Sequence, residues 1–282
     1  VLGGGGALGC AHLGVARALR EAGIEIDVWG GSSVGGAMAV ALSRGLLSEE
    51  VMDRFETIFV TNAALGRMTV PRHSLMNHRH FDAQMREHYG EDDLADHPML
   101  TFAVSASLTT NDLHVHRRGP AWIAVRASGS LPIMLPPYVT ETGEVLADGG
   151  LIDNLPISTM RDMKTGPNLL VNLSSDREYR LTSSYDAYTT GAASLFAMMR
   201  GRRAGDLPST VKTLLRAMVV SSQRKLADTV LGDDLLLQPK PVRGMSITDW
   251  KRGREQERQA YEFAARRIED GNLDRLLGTR AG

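Results

Sequence analysis

The sequence predicts an α/β fold, a mostly parallel central sheet with helices on both faces. Short apolar runs that read as strands alternate with helical patterns from residue 1 to residue 173. Two glycine-flanked turns, Gly3-Gly4-Gly5-Gly6-Ala7-Leu8-Gly9 and Gly31-Ser32-Ser33-Val34-Gly35, each follow a strand and open a helix. A hydrophobic fraction of 43% over 282 residues is enough to fill one large core.

The elements follow in order. Val1-Leu2 reads as the end of a strand, so this sequence is expected to be a fragment with upstream residues missing. Ala11 to Ala22 carries apolar residues at helical spacing and closes on Gly23. Asp27 to Gly30 is a second strand. Val34 to Leu46 is a helix of small residues suited to close packing on a sheet. Residues 48–98 read as helices and loops able to cover a site. Met99–Leu108 and Leu113–Arg117 read as a hairpin around Thr109-Thr110-Asn111-Asp112. A helix is expected over Trp122–Ser128, and the three prolines between Leu131 and Tyr138 demand a shaped loop. Val145-Leu146-Ala147 is a short strand ending at Asp148, and Asn168–Leu173 is another. The expected organisation is one domain over 1–282, with 176–282 as a helical C-terminal extension and 201–209 as the best candidate for a mobile connection.

Composition removes several function classes. A net charge of −1 gives no basic field for nucleic acid. A lone cysteine, Cys10, excludes a disulfide framework and a cysteine-rich zinc site. No run approaches the ~20 apolar residues of a spanning helix, and no signal peptide is visible. His78 and His80 lack the carboxylate spacing of a metal site, so no metal and no cofactor are expected. Oligomeric state is not legible.

The pattern G-x-S-x-G puts Ser33 on a sharp strand-to-helix turn, with Gly31 and Gly35 removing Cβ clashes. A hydroxyl there sits at a helix N-terminus that favours negative charge. The N–H groups of Gly4, Gly5, Gly6 and Val34 are the candidate oxyanion donors, with Gly9 closing the first motif. The serine needs a base. All eight histidines occur by position 116, which argues against the chain order serine, acid, histidine. His114 and His116 alternate on one strand face and read as strand surface or ordinary hydrogen bonding. Asp148 is the outstanding candidate: it ends an apolar run and is followed by Gly149-Gly150. Taken alone, Asp-Gly is a turn signal; beside the other two motifs it reads as catalytic.

These three motifs in this order resemble the patatin-like phospholipase family, and within it the neuropathy target esterase branch. Val1-Leu2-Gly3-Gly4-Gly5-Gly6-Ala7, Val125-Arg126-Ala127-Ser128 and Asp148-Gly149-Gly150-Leu151-Ile152-Asp153-Asn154-Leu155-Pro156 are similar to that branch. The resemblance implies a patatin-like three-layer sandwich, a Ser33–Asp148 dyad without histidine, and an oxyanion hole from the glycine loop. It implies ester hydrolysis on phospholipids or lysophospholipids, without a metal, on the cytoplasmic side and in peripheral contact with membrane. Leu8 is a departure, because the family carries Arg or Lys there. A weak or inactive lipid-binding relative is therefore the alternative. A nucleotide-binding Rossmann module is a remote one, since Gly30-Gly31 occupies the place where its ribose-binding acid belongs.

Two further stretches are read either way. The basic apolar run over 191–230, from Arg200, Arg202 and Arg203 to Lys225, suits an anionic lipid surface or an ordinary helix pair. Met68, Met76, Met85, Met99 and Met134 suit an adaptable lipid pocket or core filling. Trp250–Glu269 is expected to be a charged, solvated helix.

Overall fold

The structure is a computed structural model that describes residues 1–70, 72–173, 210–271 and 273. The expected connection at 201–209 and the arginines at 200, 202 and 203 lie outside the described residues.

Residues 1–3 form an extended segment in the middle of the sheet. Leu2 makes parallel bridges to Gly31 on one side and Val171 on the other. It thereby joins β1 (Val28–Ser32) to β6 (Leu169–Val171), which pairs in parallel with β7 (Leu235–Leu237). On its other side β1 runs parallel to β2 (Leu100–Ser107). The remaining strands, β3 (Asp112–His116), β4 (Tyr138–Val139) and β5 (Val145–Asp148), are antiparallel to their neighbours. The α/β sandwich stands, and its sheet is mixed. Parallel direction reflects βα crossovers, whereas β5 returns by the loop after α5 (Ala121–Ser128) and enters from the opposite end.

β2 alternates cleanly. Phe102 and Val104 face one hydrophobic cluster with Val28, Ile157, Met160 and Leu170. Ala103 faces the other, with α1 (Cys10–Glu21), α2 (Val34–Leu42), α3 (Ser48–Glu56), α4 (His78–Tyr89) and α5. The first face is covered by α6 (Ile157–Met163) and α7 (Thr210–Asp228), so helices lie on both sides.

The last helix, α8 (Gly253–Glu269), departs from expectation. It is not merely solvated: Gln256, Ala260 and Ala264 are buried against α1. The two helices approach so closely that a Cβ at Gly14 would stand 2.1 Å from the Glu257 carbonyl oxygen. The apolar stripe of α8 consists of small residues, and its charges reach around the contact, Arg254 to Asp53 and Glu56, and Tyr261 to Glu21. Its pattern therefore reads as polar.

Candidate active site

The register of β2 explains how two residues 115 positions apart come together. β3 occupies one side of β2 opposite residues 103–107, so β1 and β5 must share the other. Ser32 ends β1 opposite Val104, and Asp148 ends β5 opposite Ser105. A parallel and an antiparallel strand thus point their C-terminal ends at each other along one neighbour. The next residue after β1 is Ser33. Its Oγ donates to Asp148 Oδ2 at 2.7 Å.

Ser33 has φ 53 and ψ −127, a conformation that side-chain-bearing residues rarely adopt. Such strain costs about 1–3 kcal/mol and survives only where neighbours enforce it. Here the Ser33 N–H is pinned by Ser128 Oγ at 2.9 Å, from the end of α5. The turn can be this tight because Gly31 and Gly35 lie against the backbone of Leu2; a Cβ at Gly35 would fall 2.1 Å from Leu2 oxygen.

Asp148 is 2% exposed. Burial pushes its carboxyl up to about 6, against the opposing pull of hydrogen bonds from Ser33 and the Gly150 N–H. It stays mostly ionised at neutral pH while retaining real affinity for a proton, as a general base requires. No histidine lines the cavity. His116 bonds Ser105 Oγ and is held neutral by burial, and His114 pairs with Glu144.

The glycine loop faces Ser33. Gly4, Gly5 and Gly6 line the same cavity as Ser33, Val34 and Asp148. The expected donor set needs one correction: the Gly4 N–H is already committed to the Asn154 carbonyl at 3.2 Å. Gly5, Gly6 and Val34 make no N–H bond among the described residues, so they are the donors left for an anion. Gly6 has φ +57, and a Cβ there would strike the Ile247 carbonyl at 2.3 Å. The C-terminal segment thus clamps the loop, with Ala7 N–H also bonded to Ile247 oxygen.

Two loop supports, His12 and Asn154, and one cavity wall residue, Trp250, were not legible in the sequence. His12, fully buried on α1 and pushed down to about 4, donates Nε2–H to Gly3 oxygen at 2.7 Å. Asn154 donates Nδ2–H to Gly4 oxygen at 3.2 Å, besides its own carbonyl bond. Trp250 stacks on Phe59 with ring centres 3.9 Å apart and lines the cavity. Leu8 is half-buried and packs on the core. The loop is therefore tethered without a cation at position 8.

The cavity, about 170 Å³, is walled by apolar side chains. Phe55, Phe81, Met85 and Tyr89 come from the 48–98 region, and Leu131, Met134 and Leu135 from the proline loop. Of the five methionines read as either pocket or core, Met85 and Met134 line the cavity, and Met68 is largely exposed. Arg126, 2% exposed, holds that loop by donating to Asp82, to Ser130 Oγ and to Pro136 oxygen, and Ser130 oxygen in turn accepts the Asp148 N–H. Arg126→Ala leaves Asp82 without its partner and should cost about 3–5 kcal/mol in urea unfolding, with Arg126→Lys recovering only part.

The family model for "Patatin-like phospholipase" matches residues 1–161, more than half of the chain. The chain belongs to the patatin-like phospholipase family. This patatin-like chain is 36% identical over 173 residues to a patatin-like phospholipase domain-containing protein of Caenorhabditis elegans, covering 58% of the chain and 12% of that protein. It is 36% identical to an uncharacterized NTE family protein of Mycobacterium tuberculosis over 61% of the chain and 30% of the relative. It is 37% identical to Lysophospholipase NTE1 of Mycosarcoma maydis over 58% of the chain and 9% of the relative. The chain thus spans roughly a tenth to a third of these relatives. Among solved structures, VipD from Legionella pneumophila shares the fold, with a TM-score of 0.52 and 16% identity, covering 95% of this chain and 66% of that one. Family membership sets aside the nucleotide-binding alternative.

Proposed function

We propose that this patatin-like domain is a serine esterase that hydrolyses ester bonds of phospholipids or lysophospholipids through Ser33 and Asp148. The observation that carries the reading is the 2.7 Å hydrogen bond from Ser33 to a buried Asp148 inside an apolar cavity. The relative named as a lysophospholipase and the lipophilic walls support an acyl chain as the part of the substrate held there.

In this reading Asp148 Oδ2 takes the Ser33 proton as Oγ attacks the ester carbonyl carbon. The carbonyl π pair moves onto oxygen, and the N–H groups of Gly5, Gly6 and Val34 receive that charge at the N-terminus of α2. The intermediate collapses, the C–O bond to the alcohol breaks, and Asp148 returns its proton to the leaving oxygen. A water then attacks the acyl-Ser33 ester, again giving its proton to Asp148. The fatty acid leaves as Ser33 regains the hydrogen.

Ser33→Ala should remove turnover of a short-chain p-nitrophenyl ester and of a lysophosphatidylcholine by a factor of about 10⁴ or more. Addition of EDTA to the parent should leave both rates unchanged. Parent-like turnover by Ser33→Ala would end the proposal.

A further inference from the structure

Beside the cavity wall lies a surface that the proposed hydrolysis does not use. Residues 67–70 and 72–77 double back on each other, with an antiparallel bridge between Met68 and Met76 and a bond from Asn77 N–H to Arg67 oxygen at 2.8 Å. It is zipped onto the proline loop by Leu75 N–H to Ile133 oxygen at 2.7 Å and Met76 N–H to Met134 oxygen at 3.1 Å. Leu65, just before this loop, and Met134, on the segment it grips, both line the cavity.

The loop presents apolar side chains to solvent. Met68 is 71% exposed, Val70 82% and Ile133 38%. Ile133 holds φ +73, a left-handed conformation that a branched side chain rarely tolerates. Strain of this kind, together with a cluster of exposed large apolar groups, marks a surface with a use.

The chain that carries Met68 and Val70 has charges of one sign, and Asp82, which shares a groove with Val70, is paired with Arg126. No Asp or Glu occurs from Thr57 through Phe81, while Arg67, Arg72 and Arg79 do. All three arginines are exposed, and none makes an ion pair among the described residues. Exposed apolar tips with unpaired arginines close by in the chain match the boundary of a bilayer, where phosphate and acidic headgroups overlie hydrocarbon. A soluble acidic partner would meet the arginines and leave Met68, Val70 and Ile133 without hydrocarbon to enter.

We propose that the paired segments 67–70 and 72–77, with Ile133 and Arg79, dock the protein on an anionic lipid surface, with Met68, Val70 and Ile133 inserted and Arg67, Arg72 and Arg79 paired to headgroups. The esterase reading supplies the consequence, since docking here sets the cavity wall against the substrate layer. The binding step itself does not depend on catalysis.

The test is co-sedimentation of the 282-residue chain with phosphatidylcholine vesicles, with and without phosphatidylserine. Two variants disable the surface by independent routes: Met68→Ser with Val70→Ser, and Arg67→Gln with Arg72→Gln and Arg79→Gln. The parent is expected to prefer the phosphatidylserine vesicles and to lose that preference as salt rises. Each variant should bind them at least tenfold more weakly: the triple variant because an arginine near such a surface is worth about fivefold, the double variant because two inserted apolar side chains are lost. Hydrolysis of vesicle-borne lipid should fall in step, while turnover of the soluble ester and the melting temperature stay at parent values. Ser33→Ala should sediment like the parent, so binding is read even if the chain proves to be no esterase. Parent-like sedimentation of both variants overturns the docking proposal. So does a change in oligomeric state on Met68→Ser and Val70→Ser with vesicle binding intact, which would make the face a contact between two copies.

Discussion

Asp148→Asn lowers kcat on a soluble short-chain ester by about 10³–10⁴ and does not destabilise the protein at pH 8. The loss follows from the proton: an amide cannot accept the Ser33 hydrogen, and a positioned base is worth about 10²–10⁴ before its role in reprotonating the leaving group is counted. The stability half follows from burial. Asp148 ionises near 6 in the fold and near 3.8 when free. Between those values the folded chain holds the proton more tightly than the unfolded chain, so folding stability from this group falls as pH rises and levels off above about 6. The buried charge then costs on the order of 3 kcal/mol at pH 8. Asparagine removes that charge and can still accept the Gly150 N–H. Urea unfolding at pH 8 should place the variant level with or above the parent. The same ionisation gives kcat/KM of the parent an acidic limb: activity is lost as pH falls through about 6, where Asp148 takes up its proton.

Gly35→Ala unfolds the sheet centre rather than the chemistry. The added methyl would lie 2.1 Å from Leu2 oxygen and 2.7 Å from Gly3 oxygen, both backbone atoms of the segment that joins β1 to β6. Neither can swing away as a side-chain tip could. The expected cost is about 3 kcal/mol or more, at the upper end of overpacking. Gly23→Ala is the control. Gly23 has φ +72 and nothing within 4 Å of its Cβ position, so only backbone strain of about 1 kcal/mol is expected. Thermal melts of the two variants should separate accordingly.

The parts legible in the sequence are those where local geometry dictates residue type. Gly6, Gly31 and Gly35 are forced by backbone contacts within a few ångströms, so the two turns could be read as turns with a purpose. Asp148 was readable because it ends an apolar strand. The direction of β5 was not, because a four-residue strand carries no local mark of which way it pairs. That direction is what brings Asp148 to Ser33. The Gly4 N–H differs from the expected free donor, because it is taken by Asn154, a partner 150 residues away whose approach no local pattern marks. Trp250 acts through Phe59, equally distant in sequence, while His12 reaches Gly3 from only nine residues away but carries no local mark of that bond, and helix α8 hides its buried face behind small residues and outward-reaching arginines.

The most direct measurement is the rate at which a fluorophosphonate probe labels Ser33, followed by mass spectrometry across pH in the parent and in Asp148→Asn. The proton-transfer account predicts modification at Ser33 that rises through pH 6 and levels off in the parent, and falls by about 10³ or more in the variant. Equal labelling of both proteins, or labelling at a different serine, would contradict it.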